Sequence, residues 1–546
     1  MSYFVPQLFL SMRSYSKEQL AKDVISGIIV AIIALPLSIA LALASGVTPE
    51  QGLYTAIIAG FLISALGGSQ VQIAGPTAAF ASIVAGIVAK NGINGLVLAT
   101  VMAGIFLIIM GVLKMGSLIR FIPFTITAGF TAGIAVTIII GQIKDFLGLT
   151  FTNSPVETME KLAAVCESFL TLNPMALLIG LLALFLLIVF PKINAVIPPS
   201  LVAVIVTSAL VKLLNLKVNT IGDLYTISSA LPSFTMPSIS YASISAILPD
   251  AFTIAVLAAI ESLLSCVVAD SMIGAKHNSN MELIAQGVGN LGSALFGGIP
   301  ATGAIARTAA NIKNGGRSPI AGMVHALVLL LILVLLMPYA AWIPMPCIAA
   351  ILFMVAYNMS GWRTIVQICR ESPKSDIAVM ALTLVLTVVF DLVLAIGVGM
   401  GLACLLFMSR MSSVTTVEEW EYLDKGENPK SSTNLMQVPD HIMVFELTGP
   451  LFFGAADKLA NMQFSSDKTV LILRMRAVPA MDITALNTLR SLLSLCRKNG
   501  IRMILSHVNE QPMHVLEKSG FADFIGRENL AENIHEAIAL AKRNRN

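Results

Sequence analysis

The chain has 546 residues, 56% of them hydrophobic and only 12% charged, with a net charge of +3. An ordinary soluble domain carries about 25% charged residues, and so small a positive excess gives no case for a nucleic-acid partner. From Val24 to Ile143 the only charges are Glu50, Lys90, Lys114 and Arg120. That stretch is too dry for a soluble core, so most of the chain reads as an α-helical polytopic membrane protein in a lipid bilayer.

Residues 1–22 read as a cytoplasmic segment without a cleavable signal, because Lys17 and Lys22 lead into an apolar run that passes straight into another. Fourteen spans are then expected, at 23–43, 49–66, 76–89, 92–112, 117–143, 173–190, 197–216, 250–270, 279–297, 301–313, 317–338, 344–360, 375–391 and 394–410. The third and tenth are shorter than the roughly 20 residues a full crossing needs. With the N-terminus inside, thirteen basic residues fall at inner positions and five at outer ones, which fits the positive-inside rule and puts both termini in the cytoplasm.

The two short segments open alike. Gly75-Pro76-Thr77-Ala78 starts the third and Pro300-Ala301-Thr302-Gly303 the tenth, and the two prolines lie 224 residues apart. The first and eighth spans start at a similar offset, so the spans divide into 7+7 repeats. Seven is odd, which makes the second repeat inverted. A helix that starts at the membrane midplane carries unpaired N–H groups and the positive end of its dipole, so each half-helix mouth is an anion site. The donors expected there are the backbone N–H groups around Thr77 to Ala79, after Pro76, and around Thr302 to Ala304, after Ala301.

Two charged residues stand out against the apolar background. Glu261 lies inside the eighth span, where an acid is costly and marks an ion pathway by default; Ser265, one turn on, completes a small polar face. The plainer reading is a structural acid bonded between helices. Arg307 lies in the tenth segment and adds permanent positive charge. Its plainer readings are a salt bridge to Glu261 or a head reaching for the surface.

Other patterns carry less. Gly287-Val288-Gly289-Asn290-Leu291-Gly292 matches a dinucleotide fingerprint, but no strand precedes it and it lies in an apolar span. Gly129 and Gly133 read as a helix-packing pair. Asp391 falls at the outer end of a span, where solvation accounts for it. The six histidines show no metal spacing, no Ser/His/Asp set is evident, and the six scattered cysteines suggest neither disulfides nor zinc. No cofactor and no enzymatic activity are expected.

Beyond residue 410 the charge density rises to that of a soluble domain. A polar linker is expected over 411–436, including the run Lys430 to Asn434, and an α/β domain over 437–546. Strands are expected at 441–447, 469–475 and 501–506, and helices at 455–463, 484–499, 511–519 and 531–543.

These residues resemble the SulP family of sulfate permeases and related anion carriers. The likeness runs through Leu35 to Ala40, Gly75 to Ala78, Gly129 to Gly133, Glu261-Ser262, Asn280 to Gly287, Gly297 to Pro300 and Ala306 to Asn311. The tail resembles a STAS domain at Gly449 to Gly454 and at Met481-Asp482-Ile483-Thr484-Ala485. In related anti-sigma antagonists that turn reads Asp-Ser-Ser-Gly and its second serine is phosphorylated; Ala485 in the last place speaks against that route here. The resemblance implies a core domain moving against a gate domain across 23–410, an anion held between half-helices three and ten, and a homodimer. Leu37 replaces the glutamine that many plant and animal members carry. With Glu261, that departure looks like the bacterial cation-coupled branch and a bacterial inner-membrane location.

The expected activity is secondary active transport of a small anion: sulfate, bicarbonate or a C4-dicarboxylate. Pro76 to Ala79, Ala301 to Ala304 and Arg307 would bind it. Glu261 would carry a coupling H⁺, or would hold Na⁺ together with Ser265. A passive anion channel and a nucleobase permease of the same fold remain alternatives.

Overall fold

The computed structural model describes residues 4–117, 122–153, 155, 157–194, 197–237, 241–390, 392–420, 422–423, 436–453, 458–459 and 468–543. Arg120, Asp391, the run Lys430 to Asn434 and most of the helix expected at 455–463 lie outside them. The chain divides into two compact units, Met1–Met400 and Gly401–Asn546.

In the first unit the main elements are α1 (Lys17–Ala44), α2 (Pro49–Leu66), β1 (Ala74–Gly75), α3 (Ala78–Val112), α4 (Phe124–Leu147), α5 (Pro174–Ile193), α6 (Pro199–Leu213), α7 (Tyr241–Ile273), α8 (Ser279–Leu295), β2 (Thr302–Gly303), α9 (Ile305–Lys313), α10 (Ile320–Leu336), α11 (Met345–Met359), α12 (Lys374–Val389) and α13 (Leu392–Val414). The last of these runs on into the second unit. α3 is two helices joined at Gly92, whose φ of 67° no β-carbon residue adopts readily. It therefore supplies the third and fourth spans, and among the described residues each of the fourteen expected spans holds a helix, the third starting two residues late at Ala78 and the tenth four residues late at Ile305, because 302–303 form β2. Eight helices among the described residues are long and apolar enough to cross a bilayer. Local sequence sets several starts: Ser16 Oγ caps α1 through Gln19 N–H, Thr48 and Gln51 form a capping box on α2, and Asn278 caps α8.

The helices pack in two sets. α3 lies on α7 and α8, α2 on α8 and α10, and α1 on α10 and α9. In the second set α4 packs on α11 and α12, and α5 on α6 and α11. The glycine pattern in α8 is a packing surface. A β-carbon on Gly287 would lie 2.5 Å from Gly104 O, and one on Gly104 would lie 2.8 Å from Gly287 O. The backbones of α3 and α8 therefore meet where a larger side chain would hold them apart. Gly129 and Gly133 do the same for α4, against Met380 and Thr387 of α12.

The second unit carries a five-stranded sheet, β3 (Thr416–Glu419), β4 (Ile442–Thr448), β5 (Val470–Ala477), β6 (Arg502–Ser506) and β7 (Leu530–Ala531), in that spatial order. β3 is antiparallel to β4; the other neighbours are parallel, with Ile442 opposite Val470 and Val470 opposite Arg502. The helices are α14 (Ile483–Lys498), α15 (Glu510–Lys518) and α16 (Ile534–Arg543). Leu486, Leu489 and Leu493 of α14 bury against Leu471, Leu473 and Leu505 of the sheet. β3 falls in the stretch read as a polar linker. It is an edge strand anchored by Val417, with Glu418 and Glu419 exposed, as charges on edge strands commonly are.

Candidate functional site: two half-helix mouths on one ladder

β1 and β2 form an antiparallel ladder two residues long, with Ala74 opposite Gly303 and Gly75 opposite Thr302. α3 leaves one end and α9 the other. α8 holds both approaches. Glu282, 1% exposed, accepts from Gly68 N (2.9 Å), Ser69 N (3.2 Å), Gln72 Nε2 (3.0 Å) and Gln286 Nε2 (2.9 Å), which fixes the chain ahead of β1. Asn290 accepts from Ala301 N (2.8 Å) and donates to Ala301 O (2.9 Å), which fixes the chain ahead of β2. A buried carboxylate with four donors and a buried amide with both ends paired are the low-energy ways to keep polar groups in a dry core.

The ladder corrects the expected donor set. Ala304 N–H donates to Ile73 O at 2.9 Å. Pairs in an antiparallel ladder alternate, so Gly75 and Thr302 form the next bonded pair and Thr302 N–H is spent on Gly75 O. Ala301 N–H is spent on Asn290. Two of the three donors expected at Thr302 to Ala304 are therefore occupied, as is that of Ala301, and Gly303 N–H points away from the ladder. The open donors of this mouth are the first-turn N–H groups of Ile305, Ala306 and Arg307, since the first intrahelical bond is Thr308 N to Ala304 O. At the other mouth Thr77 is the N-cap residue, so the helix opens at Ala78 and not at Pro76 as the span 76–89 had it, Pro76 has no N–H, and Ala78 and Ala79 occupy the first two helical positions.

Four side chains complete the site. Glu261 Oε2 accepts from Thr77 Oγ1 at 2.8 Å, so the acid on α7 sits at the start of α3. Thr302 Oγ1 donates to Ala258 O (3.0 Å), and Ser265 Oγ donates to Thr308 Oγ1 (3.4 Å). One face of α7, at Ala258, Glu261 and Ser265, thus lies along the ladder. The polar face expected of Glu261 and Ser265 is divided: Glu261 engages α3 and Ser265 engages α9. Arg307 is 3% exposed, which excludes a head at the surface. It reaches back across the ladder so that Nη2 donates to Pro76 O, joining α9 to the start of α3. Its Nη1 is buried without a hydrogen-bond partner and lies where a β-carbon on Gly75 would be, 2.5 Å away. A buried guanidinium donor left open costs about 1–3 kcal/mol or more, so this group is suited to an anion between the two mouths.

Several buried polar groups of this unit are passed over in the sequence reading. His325 on α10 is fully buried with neither ring nitrogen partnered. Asp23 is fully buried and accepts from Tyr15 Oη (2.6 Å), Gln19 Nε2 (2.9 Å) and Arg317 N (2.8 Å), so it ties the start of α1 to the segment after α9. Burial and the Asp23 carboxylate push the Tyr15 phenol up to about 12, so it remains a donor. Glu282 and Asp23 answer to the same rule that singles out Glu261, an acid in or at the edge of an apolar run. One Ser/His/Asp chain does exist: Asp270 Oδ2 meets His277 Nδ1 at 2.7 Å and His277 Nε2 meets Ser279 Oγ at 2.9 Å. His277 N–H bonds the same Asp270 oxygen and Ala275 N–H bonds Asp270 O, so the set closes the turn between α7 and α8.

Two half-helices meeting on a ladder inside inverted repeats define a multi-pass membrane transporter. The chain matches the Sulfate permease family over residues 20–383 and the STAS domain over residues 435–537, and it belongs to that family of anion transporters. It is 38% identical over 534 residues to the "Putative sulfate transporter YvdB" of Bacillus subtilis (strain 168), covering 96% of this chain and 98% of that one. It is 31% identical over 514 residues to the bicarbonate transporter BicA of Picosynechococcus sp., covering 91% and 88%. The solved transmembrane domain of a cyanobacterium BicA superposes with a TM-score of 0.64 at 32% identity, over 70% of this chain and 98% of that one. Murine Solute Carrier 26 family member A9 in the inward-facing state shares the fold, with a TM-score of 0.88 at 18% identity over 99% and 94% of the two chains.

Proposed function

We propose that the chain is a secondary active transporter that carries a small anion together with a proton. The observation that supports this reading best is the buried, unpartnered Nη1 of Arg307 beside the first turns of α3 and α9. The anion would accept from Arg307 and from first-turn N–H groups: Ala78 and Ala79 on one side, Ile305 and Ala306 on the other. Both positive dipole ends favour it. Glu261 stands at the same mouth through Thr77. While ionised it repels the anion; once protonated it does not, so anion and proton bind cooperatively. Na⁺ needs several oxygen ligands, and Ser265 turns its hydroxyl to Thr308 instead.

Sulfate and bicarbonate are the favoured substrates, since relatives more than 30% identical carry those names; a C4-dicarboxylate offers the same carboxylate oxygens. In this reading residues 1–22 are cytoplasmic, 23–410 form the transport domain, 411–436 the linker and 437–546 the cytoplasmic STAS domain of a homodimer in a bacterial inner membrane. Uptake of labelled sulfate, bicarbonate and succinate into proteoliposomes, under an imposed pH or Na⁺ gradient, tests it. Saturable uptake of one anion, accelerated by inward protons and unaffected by Na⁺, is the expected result. Unsaturable current without cation dependence would make the protein a channel, and competition by uracil would make it a nucleobase permease.

A further inference from the structure

α1, α6, α10 and the 3-10 turn Met337–Trp342 that follows α10 enclose a groove of about 550 Å³. Its walls are apolar: Pro36 and Ile39 on α1, Leu201 and Ile205 on α6, Ile332 and Leu336 on α10. Leu201 and Leu213 mark its extent along α6. Twelve residues at about 1.5 Å each make it about 18 Å long, a little over half of a hydrocarbon core about 30 Å thick. The groove therefore has the length of one leaflet.

Its outer end is polar. The Lys212 ammonium lies 3.6 Å from the centroid of the Trp342 ring, and Tyr339 meets Trp342 edge-on with centroids 5.3 Å apart. A basic residue among Trp and Tyr is the composition of the membrane–water interface. One turn inward, on the same face of α6, Ser208 lines the groove and its buried hydroxyl has no partner. A hydroxyl about 6 Å below a cation matches a glycerol ester carbonyl below a lipid phosphate.

We propose that this groove is a binding site for one phospholipid with an anionic headgroup. The phosphate sits at Lys212, an ester carbonyl accepts from Ser208, and an acyl chain lies along α6 against α1 and α10. A free fatty acid lacks the ester, and a zwitterionic lipid lacks the net charge that complements Lys212. The site lies where α6, of one helix set, meets α1 and α10 of the set that carries the ladder, so the bound lipid belongs to the seam between them.

Native mass spectrometry of the full-length protein, with phosphatidylglycerol and phosphatidylcholine of matched chains, tests the assignment. Wild type should retain one phosphatidylglycerol with about fivefold preference, the effect of one basic residue near a bilayer surface. Lys212→Gln should abolish the preference. Ser208→Ala should weaken both lipids about fivefold, the worth of one neutral hydrogen bond, and Ala209→Trp should exclude both by filling the groove. If Ala209→Trp does not fold, Ile205→Trp, at a position 58% exposed, fills the same space. Equal retention of the two lipids by wild type, a preference that survives Lys212→Gln, or free fatty acid competing as well as phosphatidylglycerol would each overturn the proposal.

Discussion

Replacing Arg307 by methionine keeps most of the side chain's volume and removes its guanidinium. Two things go with it: the Nη2 bond to Pro76 O that joins the two half-helices, and the open Nη1 donor. One charge-assisted hydrogen bond is worth about 1.5–3 kcal/mol, which is a ten- to hundredfold loss of affinity for a monoanion. A dianion at the same place feels twice the Coulomb term, about 4 kcal/mol per unit charge at 4 Å and an effective dielectric of 20 before desolvation offsets it. Sulfate binding should therefore fall more than bicarbonate binding. Arg307→Lys should be intermediate, because a single ammonium restores the charge but cannot reach Pro76 O and the anion as a planar fork does. Titration calorimetry on protein shown to be folded by size exclusion and thermal melting reads these differences. If Arg307→Met binds both anions as tightly as wild type, the anion does not sit between α3 and α9.

Four further outcomes follow from the same geometry. Glu261→Gln mimics the protonated acid and should keep anion binding while losing acceleration by an inward proton gradient; uptake whose pH dependence is unchanged would remove Glu261 from coupling. Asn290→Ala leaves Ala301 N–H and O buried and unpaired, so the melting temperature should fall by the equivalent of about 2–4 kcal/mol; an unchanged melt would show that the clamp on β2 carries no weight. Gly75→Ala sets a methyl 2.5 Å from the buried Arg307 Nη1 at a backbone φ of 156°, so anion affinity should drop about tenfold, in the direction of Arg307→Met, and the melting temperature should fall with it. A chain ending at Val414 should insert and transport with unaltered substrate preference; a changed ratio of sulfate to bicarbonate uptake would give the STAS domain a share in selectivity.

What the sequence determines here is what the bilayer forces. Lipid offers no hydrogen bonds, so spans must be apolar helices and can be read as runs; Glu261 and Arg307 stand out because charge in such runs is costly. The paired openings at Pro76 and Pro300 point to the inverted repeat, although each proline precedes its helix: α3 opens at Ala78 and α9 at Ile305, with the ladder strands β1 and β2 between. The tertiary structure alone decides which N–H groups remain open. Thr302 and Ala304 lose theirs to Gly75 and Ile73, residues more than 200 positions away, and nothing in the local sequence encodes that register. The same holds for Asn290 on Ala301, for Glu282 on Gly68 and Ser69, and for Ser265 turning to Thr308. Likewise β3 becomes a strand only because β4 offers it an edge. Burial is a property of a segment and is written along the chain. Which polar group satisfies which depends on distances between segments, and these exist only once the helices have packed.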